Sequence, residues 1–223
     1  MRALLPLLTL AACGTMNGAR PLTQGQHAVG LTVGGPMVNL GAPIPLPNAV
    51  LEGRSGLPAL AGRPTDLNYG LNLTAAAFGV VGGHVGASHL LLDQRGARPA
   101  LSATDRLYVY DNHLDRSDAA ESRALWAMDQ LELTASWAPK GQLLYLGAAE
   151  YLDFRNPRLT LTPFAGAALD FGRPGGFGLQ VESRYFAANA APVNTAVPWI
   201  SLGRGAVGLT LGASWTSRAR EER

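Results

Sequence analysis

Ser88 and His89 stand side by side in this chain, and His84 lies four residues before Ser88. A hydroxyl and an imidazole are the pair that acyl transfer uses, provided the base reaches the nucleophile. Neighbouring residues of an extended chain point to opposite faces, so Ser88 and His89 cannot serve each other. His84 shares its face with Gly86 and Ser88 and is expected to be an interior histidine. Asp111, His113 and Asp115 alternate in the most charged stretch of the sequence and offer ligands to a divalent ion. That stretch lacks the glycine and terminal glutamate of a calcium loop, so a solvated face is the expectation. With a single cysteine, Cys13, the chain has no cysteine and histidine set for structural zinc. No glycine-rich loop joins a strand to a helix as a phosphate cradle would. The expectation is a protein that is not an enzyme and carries no cofactor or metal.

A second set of charges has a pattern of its own. Glu52, Arg54, Asp66, Arg106, Glu132, Arg158, Glu182 and Arg184 all fall on the polar faces of alternating segments, nearly balanced in sign. Inside a narrow barrel such residues would pair with one another rather than line a pore.

The segments that must carry them are strands. In Gly205–Ser217, Val207, Leu209, Leu211, Ala213 and Trp215 share one face, with Gly208, Thr210, Gly212, Ser214 and Thr216 on the other. That period of two runs for about ten residues, where a soluble strand needs about five or six. The same alternation recurs in His27–Gly34, Asn48–Ser55, Thr65–Ala77, Gly83–Leu92, Pro99–Tyr110, Leu125–Trp137, Gly141–Asp153, Arg158–Phe171 and Phe177–Ala187. One residue breaks it: Asp105 falls on an apolar face. Gly35–Pro47, with four prolines, reads as a loop, and Leu57–Pro64 as a connection.

The tally is about ten strands (8–12), an even number, which predicts an all-β, closed, antiparallel up-and-down transmembrane barrel over residues 27–217. Long connections at 35–47, 111–123 and 189–204 fall at one end and the tighter ones at the other, as in such barrels. Apolar residues, Leu71, Leu209, Leu211 and Trp215 among them, are then expected to face lipid. Trp137, Phe171 and Trp215 near the tight turns, and Tyr110, Trp126, Tyr151 and Tyr185 near the loops, would form aromatic girdles. The polar network Glu52, Arg54, Asp66, Arg106, Glu132, Glu182 and Arg184 would plug the lumen.

Composition fits. Of 223 residues, 47% are hydrophobic and only 15% charged, with 27 glycines and 15 prolines. A net charge of +2 without basic runs interleaved with aromatics gives no footing to nucleic acid. No apolar run is long enough for a spanning helix, so any crossing falls to strands.

Residues 1–12 open with Arg2, continue through Leu4, Leu5, Leu7, Leu8 and Leu10, and end in Leu10-Ala11-Ala12-Cys13-Gly14. This resembles the signal peptide of bacterial lipoproteins, whose lipobox ends in a cysteine that becomes residue one of the mature chain. The resemblance implies acylation of Cys13, palmitate included. Gly14 rather than aspartate after it implies export to the outer membrane of a Gram-negative bacterium. Residues 13–26 then read as a lipidated tether and 218–223 as a charged tail. The last strand resembles the C-terminal signal of outer-membrane barrels at Gly212 and Trp215, with Ser217 where that signal has its final aromatic.

The expectation is a lipid-anchored outer-membrane barrel with a structural or interaction role in the cell envelope. Its partners would be outer-membrane lipid and envelope proteins met through loops 35–47, 111–123 and 189–204. Two alternatives remain at this point: an enzyme acting on envelope lipids, and a periplasmic barrel that binds an apolar ligand inside.

Overall fold

The structure is a computed structural model that describes residues 18–112, 125–139, 142–171, 176–191 and 197–217. The strands are β1 (His27–Asn39), β2 (Pro43–Pro45), β3 (Asn48–Leu60), β4 (Arg63–Asn72), β5 (Val80–Leu92), β6 (Ala100–Asn112), β7 (Trp126–Trp137), β8 (Gln142–Asp153), β9 (Leu159–Phe171), β10 (Phe177–Phe186) and β11 (Ala206–Thr216). One five-residue helix, α1 (Leu73–Ala77), interrupts them. Every strand except β2 pairs antiparallel with its barrel neighbours, and β11 closes on β1 with Val33 opposite Leu211. The result is a closed ten-stranded up-and-down barrel, which leaves no open sheet edge around the wall.

Local chemistry sets the ends of the strands. β3 runs past Ser55 to Leu60 and turns through Ala61 and Gly62, both with positive φ, which suits a two-residue hairpin. The stretch Thr65–Ala77, read as one strand, ends at Asn72. There the Asn72 side chain accepts from the Ala75 amide at 2.8 Å and caps α1, and three successive alanines favour the helix. Leu73 keeps the alternation going by one step, which is why the sequence pattern overran the boundary.

The proline-rich stretch 35–47 is also more ordered than a loop. β1 continues through Pro36 to Asn39, leaves β3 after Gly34 and pairs with β2 instead. Pro43 and Pro45 sit on that short edge strand, where a missing N–H costs no ladder bond. Residues 198–200 of the last connection flank the other side: the Asn39 amide donates to the Pro198 carbonyl at 2.8 Å and the Ile200 amide to that of Met37 at 3.1 Å.

The two faces of the wall differ sharply. Outward-pointing positions are predominantly apolar on every barrel strand, from Val29 and Leu31 on β1 to Leu209, Leu211 and Trp215 on β11. Leu71 is 58% exposed and Leu211 56%, so neither lines an interior pouch. Inward positions are buried and carry polar, charged or aromatic side chains, with glycines where rings need space. Gly82 lies under Tyr110 and Gly166 under the Tyr145 hydroxyl, and a Cβ at either would collide with the ring.

The aromatic girdles divide. Trp215, Phe171 and Phe177 are exposed on the outer face near the tight turns, and Trp137 is half-buried there, its indole donating to the Ala97 carbonyl at 2.9 Å. Tyr110, Trp126 and Tyr151 are inside, where Tyr110 stacks on Trp126 at 5.0 Å among Tyr108, Met128 and Phe186. Strand parity, shared with Arg106, Gln130 and Ala149, sends these three inward. Only Tyr185 stays outside near the loops, bonded to the Arg204 carbonyl.

Candidate functional site

The interior is built in three tiers, each on the inward positions of several strands. The tier nearest the loops is the aromatic cluster just described. α1 closes over it, with Ala75 buried among the same residues.

The middle tier is charged. Glu132 on β7 faces two guanidiniums, Arg106 on β6 at 3.6 Å and Arg184 on β10 at 3.5 Å. Arg184 also pairs with Glu182 two residues earlier, donates to the Tyr151 hydroxyl at 3.1 Å and lies 5.0 Å over the Phe164 ring. The Tyr145 hydroxyl donates to Glu182 at 3.0 Å and accepts from Gln180, while Gln130 donates to Glu132 at 2.9 Å. Arg106 donates through Nε to Asn68 at 3.1 Å, and Asn68 donates in turn to Ser88, also at 3.1 Å. Arg106, Glu132, Glu182 and Arg184 are all essentially sealed from solvent. Two cations against two anions make a neutral quartet, the arrangement that burial of charge demands. It fills the bore.

The third tier closes the tight-turn mouth. Asp66 on β4 pairs with Arg54 on β3, and Glu52 faces a small cavity of about 80 Å³ beside Thr32 and Gly212. Residues 18–26, the described part of the stretch read as a tether, do not trail away. They form a strap that runs through this mouth. Arg54 donates to the Arg20 carbonyl at 2.7 Å, Ser102 to that of Ala19 at 3.0 Å, and the Leu22 amide to Asp66 at 2.8 Å. The Arg20 guanidinium reaches across to Ser136 Oγ at 3.1 Å and to Gln94. Backbone bonds from Gly25 to Gly56 and from Gly56 to Gln26 finish the seam.

The residues considered for chemistry lie apart. Ser88 points inward, accepting from Asn68 and Thr104, whereas His84 packs on the Tyr108 ring at 5.2 Å. His89 is on the outer face, within 2.8 Å of the Thr65 hydroxyl. Asp111 is the last residue but one of β6 rather than the opening of a loop, and His113 and Asp115 lie outside the described residues, as does Cys13. Arg158 precedes β9 and is exposed. Among the described residues no three His, Cys, Asp or Glu side chains converge to hold a metal ion.

On the outer wall Asp105 is one of a group. In the middle of the apolar belt, charged side chains among the described residues are confined to Asp105, Asp129 and Glu150, on adjacent strands β6, β7 and β8. Leu131 sits between Asp105 and Glu150 in register, and the Asp105 and Asp129 carboxyls are within hydrogen-bonding reach of each other.

Sequence pattern did not single out Asn68, Gln130, Tyr145 and Gln180, and read Tyr151 as a girdle residue, although each shares the parity of the charges it serves. Nothing in the pattern marks the strap, because its bonds join residues as far apart as Arg20 and Ser136. Fold and interior together define a small β-barrel whose bore carries a tier of paired charges. No protein-family description matches the chain, and no curated protein matches it.

Proposed function

We propose that this chain is an outer-membrane barrel of a Gram-negative envelope, lipid-anchored through Cys13, with a structural or interaction role and no open pore. The observation that carries this reading is the belt of exposed leucine, valine and phenylalanine around all ten strands. Soluble proteins rarely expose contiguous apolar patches of more than a few hundred Å². Strands of 10–13 residues at about 3.3 Å per residue and about 45° of tilt rise roughly 23–30 Å, against about 25 Å for the apolar band of such barrels. The paired charges of the bore support a support-and-scaffold role over conduction.

The anchor fits the same orientation. Both ends of the described chain lie at the tight-turn mouth, and Cys13 precedes Gly18 by five residues, a reach of about 17 Å. Acyl chains on Cys13 would enter the leaflet beside that mouth, and more than one chain is needed for firm anchoring. The loop end, with the β1–β2 extension and the connections at 35–47, 111–123 and 189–204, then faces away from the anchor and is the surface for envelope partners.

Two measurements test the reading. Palmitate incorporation is expected in the native protein and its loss in Cys13→Ser; labelling that persists in the variant refutes the anchor. In that cysteine-free background, Leu209→Cys is expected to react with a lipid-phase reagent and Thr210→Cys with neither a lipid-phase nor a water-phase one. Brisk labelling of position 209 from water refutes the membrane span.

The acidic cluster gives a further expectation. Removing a carboxylate from a lipid-facing site should help, so Asp129→Leu is expected to raise stability in bilayers by roughly 1 kcal/mol. Urea unfolding in lipid vesicles measures it, and a loss of stability would place that wall against something other than acyl chains.

A further inference from the structure

A cavity of about 370 Å³ lies at the tight-turn mouth between the strap and the inner wall of β8–β11. Its size is that of a small-ligand site. Arg20 and Asp170, of opposite charge, line it, and neither forms a salt bridge among the described residues. Arg20 bonds only to neutral acceptors, Ser136 and Gln94, and its Nη1 has no hydrogen-bond partner among the described residues. Partial burial pulls its pKa below the ordinary arginine value. Arg54 also borders the cavity but is committed to Asp66 and to the strap carbonyls. Asp170, near the end of β9, has no cation or hydrogen-bond donor partner among the described residues. Pro21, Leu22 and Leu143 supply an apolar remainder.

We propose that this cavity binds a zwitterionic head group, with Arg20 taking its phosphate or carboxylate and Asp170 its ammonium, the apolar lining accepting whatever the head group is attached to. A lone anion would leave Asp170 unmatched and be repelled by it. A lone cation would leave Arg20 unmatched. One ligand carrying both charges satisfies both, and charge-assisted hydrogen bonds are the strong ones in a partly dry site. Ethanolamine phosphate has this chemistry, whether as a free solute or as the head of a phospholipid in the adjoining leaflet. The phospholipid source rests on the membrane reading given above; the free solute does not.

Calorimetric titration of the full-length protein in non-ionic detergent decides it, with ethanolamine phosphate, inorganic phosphate, ethanolamine and a short-chain lysophosphatidylethanolamine below its micelle concentration as probes. Ethanolamine phosphate is expected to bind at least about tenfold more tightly than phosphate or ethanolamine alone. Arg20→Gln and Asp170→Asn are each expected to cost about tenfold or more for ethanolamine phosphate, and Asp170→Asn is expected to leave phosphate binding no weaker. Tighter binding of the lysolipid than of its head group assigns the site to lipid, and equal binding assigns it to a free solute; both uphold the proposal. No binding by either, phosphate alone binding as well as the zwitterion, or native affinity in both variants overturns it. Should Arg20→Gln fail to assemble, Asp170→Asn decides alone, since that side chain holds no part of the strap; native affinity there overturns the proposal. Lipid-phase labelling at position 209 is unaffected by any of these outcomes, so failure here is distinct from failure of the membrane reading.

Discussion

Arg184→Met is expected to lower the stability of the barrel by about 3–5 kcal/mol, because it strands buried carboxylates rather than because it deletes a favourable contact. Arg184 is the only guanidinium on Glu182 among the described residues and one of two on Glu132. Methionine fills much of the space beneath the Phe164 ring and leaves the quartet one positive charge short. The size of the loss comes from that imbalance, so restoring balance should recover it. Arg184→Met with Glu182→Met leaves Arg106 paired to Glu132 and is expected to lie within about 1–2 kcal/mol of the native protein, since apolar replacement of a buried pair is often close to neutral. Urea unfolding of refolded protein in detergent micelles, run as a double-mutant cycle, measures both values. A single variant as stable as the native protein, or a double variant worse than either single one, would show that these charges do not act as a unit.

Leu211→Arg carries the second large expectation, and its sign depends on what touches the wall. Leu211 lies mid-strand between Val33 of β1 and Val181 of β10, with its side chain outward and more than half exposed. Against acyl chains an arginine near the midplane of a barrel costs about 2–4 kcal/mol. Against water the same change at an exposed site stays within about 0.5 kcal/mol. Leu202→Arg is the control, since Leu202 is 85% exposed in the last connection and is expected to be neutral in either medium. Equal small effects at positions 202 and 211 in vesicles would turn the barrel into a water-borne one.

Some of this was legible before any coordinates. Val207, Leu209, Leu211 and Trp215 alternating with Gly208, Thr210 and Gly212 already separate two faces, and ten such segments with uneven connections already require a closed antiparallel wall. The parity of Arg106, Glu132, Glu182 and Arg184 placed them on one side of that wall for the same reason. A strand has only two faces, so a one-dimensional pattern suffices to sort residues between them.

Three things escaped the pattern, each for a physical reason. Helix α1 depends on the Asn72 cap, a local hydrogen bond invisible to a count of apolar positions. Tyr110, Trp126 and Tyr151 are aromatic by composition but interior by parity, and ring packing over Gly82 gives one of them its place. The strap is held by bonds from Arg20, Ala19 and Leu22 to strands up to 116 residues away. Alternation along the chain fixed which side of the wall each residue takes, because that depends only on the residue's own backbone. Which charge meets which, and that the amino-terminal stretch enters the mouth instead of hanging free, was decided by closure of the barrel. Only closure brings β4, β6, β7 and β10 within hydrogen-bonding distance across a common bore.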